Sequence, residues 1–433
     1  MKSAKRITLA SCLIIATVSV EAAIEQPRIM PEAMLSITIP DVHGFIDEIG
    51  TVAAQASPMI NGPMIKSMIG MQLGDPSLAG IAPGSGLAMV ALDMTNMFAV
   101  IEVAEAQSAT YAGMAKTKGL LSDYKDGLMV LTQSSNTLAK ASGMVGSVKT
   151  TLLSKRSSSM RVGMQPSAIM ERNKAEIDGF MKMMPMLMGQ SLMSAPGATL
   201  ESTQGTLKIL QGEILFGLSI AEQCETMEIV LAPKDGSIRI DKTFKPKSGT
   251  RLATLVGAPV VYKENPKVQS GVFGPASVAI DATLANPQAL TDFCMEELEA
   301  LFKAMELSEV DMAGFKASME KWNAIQGGSF SETISFGGDQ AFAVNYLIEV
   351  KDETAVLDYL RGMEKDLAGF LMFYETLGMP MKMNFKENVR EYEAIPIHQF
   401  AVQIQAAGEQ GKALAQMGLT NMVYDIAVAD GLM

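Results

Sequence analysis

The sequence predicts an α+β fold of two tandem related modules, each an antiparallel sheet with helices packed on one face. The main observation is a repeat: Phe98–Lys116 and Phe342–Lys365 both begin with Phe-Ala-Val, continue as a β-rich segment and end a helix on Gly-Met-x-Lys. A second apolar strand and a short polar turn precede each copy. A hairpin that leads into a helix is therefore used twice.

The first elements follow from the spacing of apolar residues. Met34–Ile39 alternates between apolar and polar side chains, which is typical of a half-buried strand, and Pro40 ends it before a helix. The next helix carries Met64, Met68 and Met71 at positions i, i+4 and i+7. This spacing predicts a methionine stripe that faces the core.

Alternation, proline starts and Asp-Gly turns predict the other elements of the first half. They are strands Leu87–Leu92, Met97–Val103, Leu128–Gln133 and Arg161–Met164, helices Gln107–Lys116 and Pro166 to about Met184, and strands Ile214–Ile220, Glu225–Leu231 and Ser237–Phe244.

The second half repeats this order. Its predicted elements are a strand at Ser277–Ile280, helices from Asn286-Pro287 and at Met312–Trp322, a hairpin at 331–350, a helix capped by Asp352, and strands Ile395–Ile404 and Met422–Val428.

Three segments are predicted: a signal peptide (1–22), a first α+β module (23–260, with a strand-rich part at 200–245) and a second module (261–433). Lys2, Lys5 and Arg6 precede the apolar run Ile7–Val20, and small residues lead to cleavage after Ala22. The chain is therefore expected to be exported, to the periplasm or the extracellular space, without a transmembrane span in its mature form.

The last four residues, Asp430-Gly431-Leu432-Met433, are identical to Asp126-Gly127-Leu128-Met129, which enter a strand in the first module. A chain that stops just inside a strand is expected to be a fragment, so the second module is predicted to be truncated.

The charge of the chain limits the classes of partner that it can bind. The formal net charge is −12 and no basic cluster occurs, which disfavours nucleic acids and anionic lipids as partners. The mature chain keeps Cys224 and Cys294, which are predicted to be small buried apolar side chains, with a disulfide as the alternative.

The most unusual local composition is the run from Phe180 to Met193. Its methionines form the predicted ligand-binding set, Met181, Met183, Met184, Met186, Met188 and Met193. Thioethers at this spacing suit Cu(I) or an adaptable apolar surface, and a methionine-rich core is the alternative, since the chain has 35 methionines. No histidine lies near the run, which disfavours copper.

No catalytic residue, metal ligand or cofactor is predicted. His43 and His398 are the only histidines and lack zinc-site spacing. Ser122-x-x-Lys125 resembles one box of penicillin-recognising enzymes, but it precedes a turn and a strand rather than opening a helix. Glu296, Glu297 and Glu299 are expected to lie on a solvated helix face.

The Phe-Ala-Val hairpins, proline-opened helices and Asp-Gly strand starts resemble those of uncharacterised secreted bacterial proteins built from duplicated α+β modules. That resemblance assigns no functional residue. The sequence predicts an exported, non-enzymatic binding or structural protein with a protein partner or an apolar ligand. The alternatives are a carrier or chaperone for a lipid or peptide that uses the Met-rich helices, and a hydrolase without a recognisable motif.

Overall fold

A computed structural model confirms the predicted fold class, with mixed helices and antiparallel sheets. It describes residues 28–433 except 57–58, 73–74, 155, 194–199, 235–236, 270–276, 305–311, 338–339, 369–370, 373–374, 376–379 and 406–419. The predicted signal peptide lies outside these residues. Two compact units occur: the first is the described part of Ala22–Arg172 with Ala221–Ser248, and the second is Asn173–Ile220 with Gly249–Met433.

The first unit contains an eight-stranded antiparallel sheet in the order β4-β5-β3-β2-β1-β6-β7-β8. Its strands are β1 Leu35–Ile39, β2 Leu87–Ala91, β3 Met97–Glu102, β4 Leu121–Lys125, β5 Leu128–Thr132, β6 Met160–Met164, β7 Cys224–Lys234 and β8 Ser237–Pro246. Its helices are α1 Val42–Ala56, α2 Gly62–Gln72, α3 Ser108–Thr117, α4 Ser135–Ser147 and α5 Pro166–Arg172.

Helices cover both faces of this sheet, whereas the sequence predicted helices on one face. Val90, Val100 and Val130 pack with residues of α4 on one side. Ile101 and Met129, which point the other way because side chains alternate along a strand, pack with residues of α1 and α3. Strand β5, Leu128–Thr132, is buried at every position because both of its faces are covered. Its sequence therefore does not alternate between apolar and polar residues as a half-buried strand does.

The second unit holds two three-stranded antiparallel sheets, β11-β10-β9 and β12-β13-β14. Its strands are β9 Ser277–Thr283, β10 Gln326–Gly337, β11 Gln340–Val350, β12 Met381–Tyr392, β13 Ile395–Ile404 and β14 Asn421–Ala427. Its helices are α6 Lys174–Met193, α7 Leu200–Gln223 (whose last residues belong to the first unit), α8 Arg251–Val256, α9 Pro287–Ala304, α10 Met312–Ile325 and α11 Glu353–Asp366.

Residues 431–433 pair with β11 and close a turn that follows β14. Met433 and Ile348 exchange two backbone hydrogen bonds of 2.9 Å, and Ala429 and Leu432 do the same. Because Ile348 lies in β11 and Ala429 follows β14, this short segment links the two sheets.

The two units share the predicted order: a strand, two helices, a hairpin and a helix. Both Asp-Gly pairs form turns with positive φ, at 53° and 83° for Asp126 and Gly127 and at 55° and 74° for Asp430 and Gly431. Positive φ at both central residues defines the hairpin turn that Asp-Gly favours.

The strand register repeats as well. Leu128 pairs with Glu102, and Leu432 pairs with Glu349, at the same point of the repeated Ile-Glu-Val sequence. The two modules therefore agree in backbone geometry as well as in sequence, as expected for related modules.

The helix starts that the sequence marked are confirmed at α9 and α11. Asn286 accepts a hydrogen bond from the Ala289 N–H at 3.0 Å, and Asp352 accepts one from the Ala355 N–H at the same distance. Each side chain satisfies a backbone donor that the helix itself leaves unpaired.

One strand prediction was wrong: Ile214–Ile220 lies within α7, a helix of 24 residues. A short apolar run does not distinguish a strand from a buried helix, and the Leu-, Gln- and Lys-containing stretch before it extends the helix. Strands β7 and β8 confirm the rest of that region.

None of the helices in the described ranges has the length and apolarity needed to cross a membrane.

Candidate functional site

Helix α6 carries apolar side chains on two faces. Ile177, Met181, Met184 and Met188 recur at i, i+4, i+7 and i+11, and Met184 is completely buried. These residues form the inward face. The outward face consists of Phe180, Met183, Met186 and Leu187, whose side chains are 49% to 68% exposed.

This arrangement divides the methionines that the sequence singled out. Met184 is buried and Met181 and Met188 are half-buried, whereas Met183 and Met186 are exposed. Met193 ends α6, but its side chain lies outside what the structure describes.

Phe180 and Leu187 complete the outward face and were not among the predicted site residues. Together with Met183 they stand at i, i+3 and i+7, which places them on one side of a helix. The spacing was present in the sequence, but it does not say which of two apolar faces is exposed.

The predicted core-facing stripe on α2 is wrong, because Met64, Met68 and Met71 are 45% to 60% exposed. The helix packs through its small residues instead. A Cβ atom added at Gly50 of α1 would lie 2.2 Å from the Gly62 nitrogen of α2, so the two backbones are in close contact. This contact turns the methionines towards solvent.

Two grooves of the second unit are open; one is lined mainly by apolar residues and the other mainly by charged residues. One of about 360 Å³ is lined by Glu364, Ala368, Leu371, Met372, Glu375, Pro380 and Met381. The other, of about 510 Å³, is lined by Asp292, Met295, Glu296, Glu299, Met312, Ala313 and Lys316. Sites for apolar ligands usually enclose most of the ligand surface, whereas both of these grooves are open to solvent.

Cys224 and Cys294 are buried and form no disulfide, which confirms the prediction of small apolar side chains over a disulfide. Burial raises the pKa of the Cys224 thiol to about 11, although hydrogen bonding with the Thr226 backbone partly opposes the shift. The thiol therefore stays protonated and unreactive at neutral pH.

Both histidines form hydrogen bonds. A ring nitrogen of His43 lies 2.6 Å from the Ile81 carbonyl oxygen, and His398 is buried, stacks on Phe385 and accepts a hydrogen bond from the Asn388 N–H. In the part of the chain that the structure describes, no three His, Cys, Asp or Glu side chains are grouped as metal ligands.

Ser122 lies in β4 and Lys125 ends that strand, so the serine does not open a helix.

The prediction of a solvated acidic face is wrong for Glu297. Its side chain is buried, pairs with Arg251 at 2.8 Å and accepts a hydrogen bond from the Ser219 hydroxyl at 2.7 Å. Its neighbours Glu296 and Glu299 are exposed, as expected.

A polar cluster centred on Asp75 fixes the loop after α2 in the first unit. The Asp75 carboxylate accepts hydrogen bonds from the Gly80 N–H at 2.8 Å, the Tyr111 hydroxyl at 3.0 Å and the Ala79 N–H at 3.1 Å. Burial raises the pKa of Asp75, but the hydrogen bonds together lower it by more, and that from Gly80 has the largest effect among them. The pKa of Asp75 therefore lies below its usual range.

Comparisons of the chain with protein-family models, curated proteins and solved structures give no match.

Proposed function

We propose that this chain is an exported, non-enzymatic binding protein that holds an apolar segment of a partner protein on the outward face of α6. The observation that carries the proposal is that Phe180, Met183, Met186 and Leu187 lie on one helix and stay exposed, although Met184 on the same helix is buried.

These four side chains would supply only part of the free energy of binding, because association alone costs about 4–15 kcal/mol. Burying a fully exposed Leu, Met or Phe side chain contributes about 1.5–3 kcal/mol. Four side chains that are about half exposed would then contribute roughly 3–6 kcal/mol before the cost of association is subtracted.

The composition of the face supports an adaptable partner surface. Methionine is unbranched and polarisable, so two methionines beside a phenylalanine and a leucine fit partner side chains of different shapes. Aromatic and methionine side chains are also enriched where proteins bind proteins. The acidic net charge supports a partner that is not a polyanion.

The alternative is a carrier for an apolar small ligand. The two open grooves favour it less than the surface of α6, because a lipid-sized ligand needs most of its surface covered.

Site-directed photocrosslinking tests the proposal in the native compartment. A benzophenone amino acid placed at Phe180 or Leu187 is expected to give a defined protein adduct, whereas the same group at the exposed residue Tyr392 is not. The double substitution Met183→Lys and Met186→Lys should abolish the adduct while far-UV circular dichroism stays unchanged.

Absence of an adduct at Phe180 and Leu187, or an identical adduct at Tyr392, would refute the partner surface. Native mass spectrometry of the mature protein, before and after solvent extraction, distinguishes the partner surface from the carrier alternative. An extra mass that is stoichiometric and is removed by extraction would indicate a carrier. The same spectrum tests export, since cleavage after Ala22 leaves a chain that begins with Ala23.

A further inference from the structure

Helix α6 exposes two of its methionine side chains to solvent and buries a third one between them. Met183 and Met186 are 51% and 68% exposed, whereas Met184 is completely buried. A thioether is oxidised to a sulfoxide only when an oxidant reaches its sulfur, so exposure sets the order in which methionines react. A small oxidant in solution therefore reacts with Met183 and Met186 before it reacts with Met184.

We propose that Met183 and Met186 form a reversible oxidation site, and that their conversion to methionine sulfoxide releases the partner from the outward face of α6. This inference rests on the proposed function, because it concerns the regulation of the same surface. It adds a chemical reason for two methionines at positions where leucine would give an equally apolar face.

The reaction needs a two-electron oxygen donor, such as hydrogen peroxide. The thioether sulfur attacks one peroxide oxygen, the O–O bond breaks, an S–O bond forms, and the second oxygen leaves as water after proton transfer. The sulfur loses two electrons and the peroxide gains them. A methionine sulfoxide reductase with a thiol reductant reverses the change, taking the oxygen away as water, so the site can cycle.

The sulfoxide changes the surface on which the partner packs. Its oxygen accepts hydrogen bonds from water, and an apolar partner segment would remove that water without replacing the bonds. The neighbouring side chains of Phe180 and Leu187 have no donor to offer. Two of the four side chains of the face would become polar, so the affinity for the partner should fall at least about tenfold.

The fold should survive this oxidation, which distinguishes a switch from general damage. The side chains of Met183 and Met186 face outward, so their new oxygen atoms lie in solvent when the partner has left. Oxidation of Met184 would instead place a polar group in the core and destabilise the packing of α6. Its burial protects it as long as the protein stays folded.

The test compares the parent protein with the double variant Met183→Leu and Met186→Leu, which cannot be oxidised at these positions. Both carry the benzophenone amino acid at Phe180. Each purified protein is treated with hydrogen peroxide, freed of peroxide by catalase and photolysed with an extract of the native compartment. Each is compared with its own untreated sample, so a difference in starting affinity between the two proteins does not matter.

We expect oxidation to reduce the parent adduct at least about tenfold and to leave the adduct of the double variant at its untreated level. Methionine sulfoxide reductases for both epimers, with dithiothreitol, should restore the parent adduct. Peptide mass spectrometry should find sulfoxides at Met183 and Met186 while Met184 stays reduced, and far-UV circular dichroism should not change.

The exposed methionines of α2, Met64, Met68 and Met71, are an internal control because both proteins contain them. Loss of the adduct in the double variant would place the effect outside α6 and overturn the inference. A parent adduct that persists when both α6 methionines are fully oxidised would overturn it as well, and would leave the partner surface standing. Absence of an adduct before any oxidation would instead overturn the proposed function itself.

Discussion

The hydrogen bond between Tyr111 and Asp75 offers the sharpest test of the first unit. Tyr111 is almost completely buried, and its hydroxyl is 3.0 Å from the Asp75 carboxylate. The substitution Tyr111→Phe keeps the ring and removes only the hydroxyl. A hydrogen bond to a charged group contributes about 1.5–3 kcal/mol, so the free energy of unfolding at pH 7 should fall by about this amount.

The control is Tyr124→Phe in the same unit. The Tyr124 hydroxyl donates to the neutral Val103 carbonyl at 3.1 Å, so its loss should cost about 1 kcal/mol. Urea unfolding followed by far-UV circular dichroism measures both variants against the parent protein, and an unchanged slope with urea shows that the folded states remain comparable.

The dependence on pH separates the two variants. The pKa of Asp75 is lowered in the folded state, so its contribution is present above its ordinary pKa and is lost as pH falls through the lowered value. The loss caused by Tyr111→Phe should therefore be largest at pH 7 and shrink as the pH falls through the lowered pKa of Asp75, whereas that of Tyr124→Phe should not change with pH. A loss for Tyr111→Phe that stays constant over the whole acidic range in which the protein remains folded would refute the charged hydrogen bond.

Three further predictions concern other buried groups. Leu360→Ala in α11 should lower the free energy of unfolding by about 2–5 kcal/mol, measured by tryptophan fluorescence in urea, and a loss below about 1 kcal/mol would contradict the packing of that core. The Cys224 thiol should react with Ellman's reagent at pH 8 only after unfolding, and rapid stoichiometric labelling of the folded protein would contradict its burial and raised pKa. Glu297→Gln should cost about 2–3 kcal/mol, at the low end for a buried pair because Arg251 is partly exposed, while the exposed control Glu296→Gln should cost nothing measurable.

Much of the fold follows from local patterns. The caps at Asn286 and Asp352, the Asp-Gly turns and the two Phe-Ala-Val hairpins all lie where the sequence predicts them. Each depends on residues close in the chain, because a helix cap or a two-residue turn is determined by the backbone donors and φ angles of a few neighbouring residues. Strands β4 and β12 were not predicted. Both are mostly polar or exposed, so they lack the alternation that marks a half-buried strand.

The candidate site depends more on tertiary packing. The sequence showed that methionines are concentrated at Phe180–Met193, but it did not show that Met184 is buried while Met183 and Met186 are exposed. On α2 the methionines that were predicted to face the core are exposed. The close approach of Gly50 and Gly62 buries the opposite face of the helix, which carries small residues.

The sequence by itself therefore determined the repeat, the order of strand, two helices, hairpin and helix within it, and the apolar character of α6, since these depend on residue type and spacing. The tertiary structure alone decided which apolar faces stay exposed and that Glu297 is buried. The physical reason is that burial and strand pairing depend on contacts between segments far apart in the chain, and a local pattern does not say which of its faces meets a neighbour.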